Sequence, residues 1–415
     1  MCLPTRNCFT AHSVAETVTG MRLIRITILS VLILAGLSYS AYQIFRPTKK
    51  PDPQIVRYLI ENRLKPSEFC RQTSPNTLEG GGYVWELLTK SAAYAPRDGA
   101  NGVVHNGKMV MLGGWNPDDK VHFPRITNNE VWESTDGRQW SLIKTNSFLD
   151  NSFDAKKDWE GRHSAGVVSY KGEIWLIGGD ATQFHHQHDI WKSKDGRDWQ
   201  LVNDGASVPW KPRALHMTFV LNDRIYVVGG QSMSKKATLE PSVGEHYYND
   251  VWSTTDGRSW VKHEPVGPIW TPRGGIGGQL LFRGRVWIVG GFVNENHIVK
   301  NRVVHTDIWS SPDADHWTKE ADGAEWSQDG GLAYHDMGVF ADRLWIIGGA
   351  KLVKGNDDPN VSRVWSSADG KQWSELKCAP IPPTHATTVF SLPDRLVIAA
   401  GNHLTREVWE LRRKR

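Results

Sequence analysis

Four arginines, each three positions after an aromatic residue, are the side chains of this chain best suited to hold a ligand: Tyr94/Arg97, Trp159/Arg162, Trp210/Arg213 and Trp270/Arg273. A guanidinium is permanently charged and presents a planar fork of donors, so a partial ring of them suits carboxylates, phosphates or acidic side chains. The indoles suit sugar faces or apolar peptide anchors. Two further copies of the pattern lose the arginine, although Trp326 keeps the aromatic place in the fifth. Each arginine precedes a Gly-Gly pair by 16 or 17 residues, so all four hold one place in a repeated unit. A structural use competes with the ligand reading: Arg can brace one repeat against the next, and Trp can pack beneath its neighbour.

Histidines occupy the same stretches. His163 follows Arg162, His216 lies three after Arg213, and His335 and His385 stand in comparable parts of copies five and six. Several imidazoles facing one channel could bind metal or move protons, and the alternative is a set of buried structural histidines. The run Phe184-His185-His186-Gln187-His188 fits no defined ligand spacing, so no metal is expected. Asp98, Asp158, Glu160, Asp180, Glu245 and Glu295 form no recurring pair at a spacing that dictates catalysis. No cofactor is expected either.

The elements that must position these side chains repeat to a plan. Two tryptophans eight residues apart occur as Trp132/Trp140, Trp191/Trp199, Trp252/Trp260, Trp309/Trp317 and Trp365/Trp373, and Trp409 stands alone near the C-terminus. A fixed period of this kind marks a repeat architecture. Ahead of each pair, a short β-branched or aromatic run ends in Gly-Gly, at 113–114, 178–179, 229–230, 290–291 and 348–349, and the sixth ends in Ala399-Ala400-Gly401. Such runs read as strands. Asp-Gly between the paired tryptophans predicts a hairpin in which both central residues have φ > 0. Copy four carries Pro312-Asp313-Ala314-Asp315 instead and is expected to turn differently.

The order strand, Gly-Gly, loop, Asp-Val/Ile-Trp, turn, Trp resembles the kelch repeat over residues 83–411. That resemblance implies an all-β fold, a six-bladed β-propeller with four-stranded blades. Trp85-Glu86-Leu87 matches Trp140-Ser141-Leu142, so an N-terminal outer strand around Trp85 is expected to close the sixth blade and remove free sheet edges. The loops after Gly-Gly and between blades would then share one face, which also carries Trp115. Function is expected there. Kelch propellers include both binding modules and enzymes, so the fold alone does not decide. Galactose oxidase, a kelch relative, would imply copper and a Tyr–Cys cross-link, but Cys378 is the one cysteine in 83–411 and has no such context. Sialic acid mutarotase is similar in blade number, but its Glu-and-Arg pair would need counterparts such as Glu295 and Arg302, which no motif aligns.

Outside the repeats the chain reads in short pieces. Residues 1–20 look unlike any targeting segment, which makes Met21 the expected start. Residues 21–45 read as a signal-anchor or signal peptide, since 26–45 is uncharged and long enough to span a bilayer. Residues 46–82 form a linker with a short helix, and 412–415 a basic tail. An uncleaved membrane anchor with the propeller outside the cytoplasm is favoured; a cleaved signal and a cytoplasmic propeller are the alternatives. In an oxidising compartment Cys70 and Cys378 could form one disulfide, the alternative being two unrelated thiols. A net charge of +4 over 415 residues gives no argument for nucleic acid.

The expectation is a membrane-tethered binding module whose loop-rich face takes an acidic carbohydrate or acidic protein segment. Its site residues would be Arg97, Arg162, Arg213, Arg273, His163, His216, His335, His385, Trp115, Trp159, Trp210, Trp270 and Trp326. The alternative is an extracytoplasmic carbohydrate-active enzyme of the mutarotase or epimerase type, and no catalytic residue is assigned.

Overall fold

The computed structural model describes residues 71–414, apart from 75, 120–125, 182–184, 234–244, 277–279, 295–301, 329 and 352–359. The chain divides into two units, Met1–Leu59 and Ile60–Arg415, and the described residues belong to the second. The first unit contains the expected leader and the apolar segment 26–45, which therefore lie outside the described residues. Among the described residues no helix is long and apolar enough to cross a membrane.

Of the eight antiparallel sheets among the described residues, two are two-stranded and six succeed one another along the chain as blades. Their inner strands are Asn101–His105, Gly166–Tyr170, Met217–Leu221, Leu281–Phe282, Asp336–Phe340 and Thr388–Ser391. The fold is the expected six-bladed propeller. Closure follows the expected route, with Tyr83–Thr89 pairing with Val408–Arg413 as the outer strand of blade six. Leu87 lies opposite Trp409 as Leu142 lies opposite Trp132 in blade one.

The blade extends beyond the expected bounds. Thr77–Gly80 and Arg71–Ser74 add two more strands outside Tyr83–Thr89, where a linker was expected. At the other end the strand runs through Arg413, so Arg412 and Arg413 belong to the sheet rather than to a tail. The pairing is also ionic: Lys414 Nζ reaches Glu79 at 2.6 Å.

Each hairpin between paired tryptophans is held by side chain and backbone together. Ser134 Oγ accepts from the N–H of Gly137 at 2.8 Å, and Asp136 Oδ1 accepts from Arg138 and Gln139 at 2.8 and 2.9 Å. The Trp140 indole then donates to the Gly137 carbonyl at 3.1 Å. The turn differs from the expected one, because only its glycine is left-handed, at φ +74° for Gly137. Copy four makes the same turn after all: Ala314 takes φ +68°, and Ser311 and Trp317 bond it as their counterparts bond glycine.

The core lies between blades. One cluster joins Val103 and Leu112 of blade one to Leu176 and Trp191 of blade two, with Trp159 between them, and five similar clusters complete the circuit. Fully burying a large apolar side chain stabilises by roughly 1.5–3 kcal/mol, so each seam is a substantial fastening.

Candidate functional site

The four arginines lie inside the blades, each 0–1% exposed, and do not line an open ring. Arg162 shows the arrangement. Its Nε donates to the carbonyl of Glu160, Nη1 to the first carbonyl of the Gly-Gly pair at Gly178, and the two Nη atoms to Asp189 at 2.5 and 2.9 Å. Arg213 repeats this with Lys211, Gly229 and Asp250, and Arg273 with Thr271, Gly290 and Asp307. Arg97 pairs with Glu130 at 2.5 Å and reaches Gly113. The same carboxylates accept the indole N–H of Trp132, Trp191, Trp252 and Trp309. Each guanidinium thus ties the start of an inner strand to its own blade's Gly-Gly turn and outer hairpin. The expected guanidinium ring is replaced by four internal braces, because a buried charge must be met by paired hydrogen-bonding groups.

The indoles expected at the rim are also internal. Trp159, Trp210, Trp270 and Trp326 are 0–2% exposed. Three of them meet the second tryptophan of the next hairpin edge to face: Trp159 with Trp199 at 5.7 Å, Trp210 with Trp260 at 5.4 Å and Trp270 with Trp317 at 4.4 Å. Trp326 packs against His335. These rings build seams between blades.

One residue after each brace position, the chain crosses the mouth of the channel. The residues there are Asp98, His163, Ala214, Gly274, Ala333 and His385. The residues that follow Gly-Gly stand beside the first five of them through antiparallel bridges: Trp115, Asp180, Gln231, Phe292 and Ala350. The next residue inward is left-handed in every copy: Gly99, Ser164, Leu215, Gly275, Tyr334 and Ala386 have φ between +49° and +69°. Five successive N–H to carbonyl bonds link them round the channel: Gly275 to Leu215, Leu215 to Ser164, Ser164 to Gly99, Gly99 to Ala386 and Ala386 to Tyr334, at 2.9–3.1 Å. A left-handed conformation costs an ordinary residue about 1–2 kcal/mol. Bonds between blades hold four such residues in it, and backbone strain of this sort concentrates at functional sites.

Above this backbone ring, the expected histidines divide. His163 is half-buried and stacks on Trp115, with centroids 6.2 Å apart and planes at 26°. His385 is also half-buried, stacks on Tyr334 at 5.3 Å and shares a 2.6 Å bond through Nδ1 with Asn360 Oδ1. Tyr334 in turn meets Phe292 at 4.4 Å, and the Arg302 guanidinium lies 4.9 Å from both of those rings. Burial, reinforced by the Arg302 charge, lowers the His385 pKa to about 4. Asp98 is buried and pushed up to about 6, although Asn402 donates to its Oδ2 at 2.9 Å.

His216 and His335 face a different place. Both are buried and line the channel cavity below the ring, a space of about 260 Å³ to which every blade contributes. Burial, with Arg213 nearby, depresses His216 to about 3, and burial lowers His335, so both are neutral. Asp336 also lines the cavity, and burial pushes its pKa up to about 7. Among the described residues no three His, Cys, Asp or Glu side chains stand together in a way that could hold a metal ion.

Of the remaining expectations, Cys378 is disulfide-bonded, and Cys70, its expected partner, lies outside the described residues. Glu295, one half of the mutarotase-like pair, also lies outside them. The carbohydrate-enzyme alternative finds no support, since the four arginines spend their charge on carboxylates of their own blades. Sequence reasoning missed Tyr334, Phe292, Asn402 and Asp336. The left-handed positions carry no shared residue type that would have flagged them. The braces did carry a signal, since an acid stands two residues before the first tryptophan in all four copies that have the arginine.

No family model matches the chain. Over 173 residues it is 33% identical to Kelch domain-containing protein 3 of rat (Rattus norvegicus) and of mouse (Mus musculus). It is 26% identical over 173 residues to the protein of the same name in human (Homo sapiens). These matches cover 41% of this chain and 44% of each relative, so the chain spans less than half the length of the curated relatives it matches. Taken with six sheets that succeed one another and close through an N-terminal strand, this similarity shows that the chain is a kelch-repeat β-propeller.

Proposed function

We propose that this propeller is a binding module that takes an acidic protein segment on the rim of its channel mouth. The observation that carries the reading is the rim itself. It presents two imidazole–aromatic stacks, Trp115/His163 and Tyr334/His385, with the Arg302 charge beside the second. Half-buried aromatic rings give a partner large contact area with little entropy to lose. The Arg302 guanidinium beside the second stack is itself only 7% exposed and bonded to Asn294 and Tyr334, so it would act on a carboxylate partner from beneath the rings. An acidic carbohydrate is the second reading, supported by the flat faces of the same rings.

Tethering to a membrane outside the cytoplasm belongs to the same proposal. It rests on the uncharged segment 26–45 and on the disulfide at Cys378, since disulfides persist in oxidising compartments. Protease protection of the full chain in intact cells tests it; digestion only after the cytoplasm is opened would contradict it.

Binding is tested with the full chain on arrays of acidic peptides and acidic glycans, comparing wild type with Trp115→Ala and Arg302→Gln. Peptide signals that fall in both variants support the first reading. Glycan signals alone would replace it with the second, and signals equal in all three proteins would overturn both.

A further inference from the structure

A chain of side-chain hydrogen bonds crosses three blades at the rim. Its members are Asp98 at the start of blade one, Asn402 and His385 of blade six, and Asn360 in the loop that follows Gly-Gly in blade five. Backbone contacts fix their places: the Asn402 N–H donates to the His385 carbonyl at 2.9 Å, and Asn360 is bridged to Ala350. Asp98 also feels the charge of His163, which belongs to the other stack.

The direction of this chain follows from its carboxylate end. An ionised carboxylate only accepts, so Asn402 must turn its amide nitrogen toward Asp98, and Nδ2 stands 2.9 Å from Oδ2. Asn402 Oδ1 then faces Asn360 and accepts from its Nδ2 at 3.0 Å. Asn360 is left with Oδ1 toward His385, 2.6 Å from Nδ1. An oxygen acceptor at that distance requires the imidazole proton on Nδ1. His385 is neutral, because burial and the Arg302 charge lower its pKa to about 4. A neutral imidazole has one N–H, so Nε2 is left as a bare acceptor. Bonds that run head to tail polarise one another, which holds the proton in place.

Nε2 is open to a partner. It makes no hydrogen bond among the described residues and is not closed off from the surface, unlike the two ring nitrogens of His216. The Tyr334 ring covers one face of the imidazole, with planes at 30°, and leaves the in-plane lone pair at its edge.

We propose that His385 Nε2 sets the specificity of the rim by accepting a backbone N–H from the acidic segment, with Asn360 and Asn402 as positioning residues that keep it an acceptor. This rests on the rim binding proposed above. The ionised side chains of such a segment only accept hydrogen bonds, so the donor it brings is its backbone amide. The Arg302 guanidinium, 4.9 Å from the Tyr334 ring, favours a carboxylate next to that amide.

The test joins a nitrogen spectrum to a peptide series, both on the full chain at about pH 8, where Asp98, pushed up to about 6 by burial, is ionised. With histidine labelled in 15N, the His385 signals are those lost in His385→Phe, which keeps a ring on Tyr334. They are expected to show a proton on Nδ1 and a bare Nε2, and Asn402→Leu should move the proton to Nε2. An array-selected acidic peptide is then methylated at each backbone nitrogen in turn. One methylated position should lose at least tenfold in affinity for wild type, and that loss should shrink in Asn402→Leu and vanish in His385→Phe. The methylation series on wild type needs no variant to fold. A proton on Nε2 in a wild-type chain that binds the peptide would overturn the relay alone. Binding of no acidic peptide by a chain with the proton on Nδ1 would overturn the rim reading and this partner with it. Methylation tolerated at every position, or a loss unchanged in a folded His385→Phe protein, would overturn the proposal.

Discussion

Arg213 and Asp250 meet through two parallel hydrogen bonds, Nη1 to Oδ1 at 2.6 Å and Nη2 to Oδ2 at 2.9 Å. Asp250 accepts the Trp252 indole N–H at 2.8 Å as well, and Arg213 reaches the carbonyl of Gly229 at 2.9 Å. One side-chain pair therefore joins the inner strand, the Gly-Gly turn and the outer hairpin of blade three. The residues that look most like ligand hooks in the sequence are what keep each blade in one piece.

Removing one half of such a brace leaves a buried charge without its partner. Arg213→Ala is expected to lower unfolding free energy by about 3–5 kcal/mol, because Asp250 then stands unpaired beside an indole. Chemical denaturation measures this. An Arg213→Ala protein as stable as wild type would remove the brace.

The tight turns make a second prediction. Gly370 has φ +76°, and a Cβ there would fall 2.1 Å from Cζ3 of Trp287 in the preceding blade. Gly370→Ala must move a buried indole or the turn, and an overpacked core site costs about 1–3 kcal/mol. Gly172, at φ +75°, has open space in place of a neighbour. Gly172→Ala should pay only the backbone term, about 1 kcal/mol. Thermal melts of the two variants should therefore separate, with Gly370→Ala melting lower.

Closure of the ring can be tested by deletion. Tyr83–Thr89 supplies both the outer strand of blade six and the Trp85 ring, which is fully buried beside Leu411 and Trp345. Deleting residues 81–90 should abolish the cooperative melt of the whole propeller rather than trim one blade. An unchanged melting temperature would refute closure by this strand.

A pH dependence follows from Asp336. Burial pushes its folded pKa up to about 7, well above the usual carboxylate range, so the folded chain holds this proton more tightly than the unfolded chain does. The contribution to stability is complete below the unfolded value and is lost as pH rises through the folded one. Asp98, raised to about 6, acts in the same direction. The turn aspartates Asp136, Asp195, Asp256, Asp313 and Asp369 are lowered and act in the opposite one. The difference between Asp336→Asn and wild type isolates the single group. The variant should gain about 1–3 kcal/mol relative to wild type between about pH 5 and pH 8, read from denaturant midpoints. A difference that is flat with pH would contradict it.

The blades were legible because each hairpin needs the same parts: an indole to fill the seam, a Ser or Thr and an Asp to hold the turn. Five copies of one physical problem produce five copies of one solution. The closing strand was legible for the same reason, since Trp85-Glu86-Leu87 repeats Trp140-Ser141-Leu142. The rim was not. Its eleven positions share no residue type, running from Asp98 to Ala214 and from Trp115 to Ala350. Left-handed φ at Leu215 and Tyr334 is imposed by bonds from neighbouring blades, and no local propensity announces it. The arginines misled because a charge repeated at one place in each unit looks the same whether its partner is a ligand or its own blade. The acid two residues before each tryptophan was the clue, and copy five supports it: Arg363 holds the acid's place there, and Leu332 holds that of the arginine.

The central claim is that binding belongs to the rim and the arginines to the frame. Its most direct test is the affinity of the full chain for one array-selected acidic peptide, measured alongside the melting temperature for a Trp115→Ala/His385→Ala protein. The account predicts at least a tenfold loss of affinity with a melting temperature close to that of wild type. Unchanged affinity in that folded double variant would contradict it.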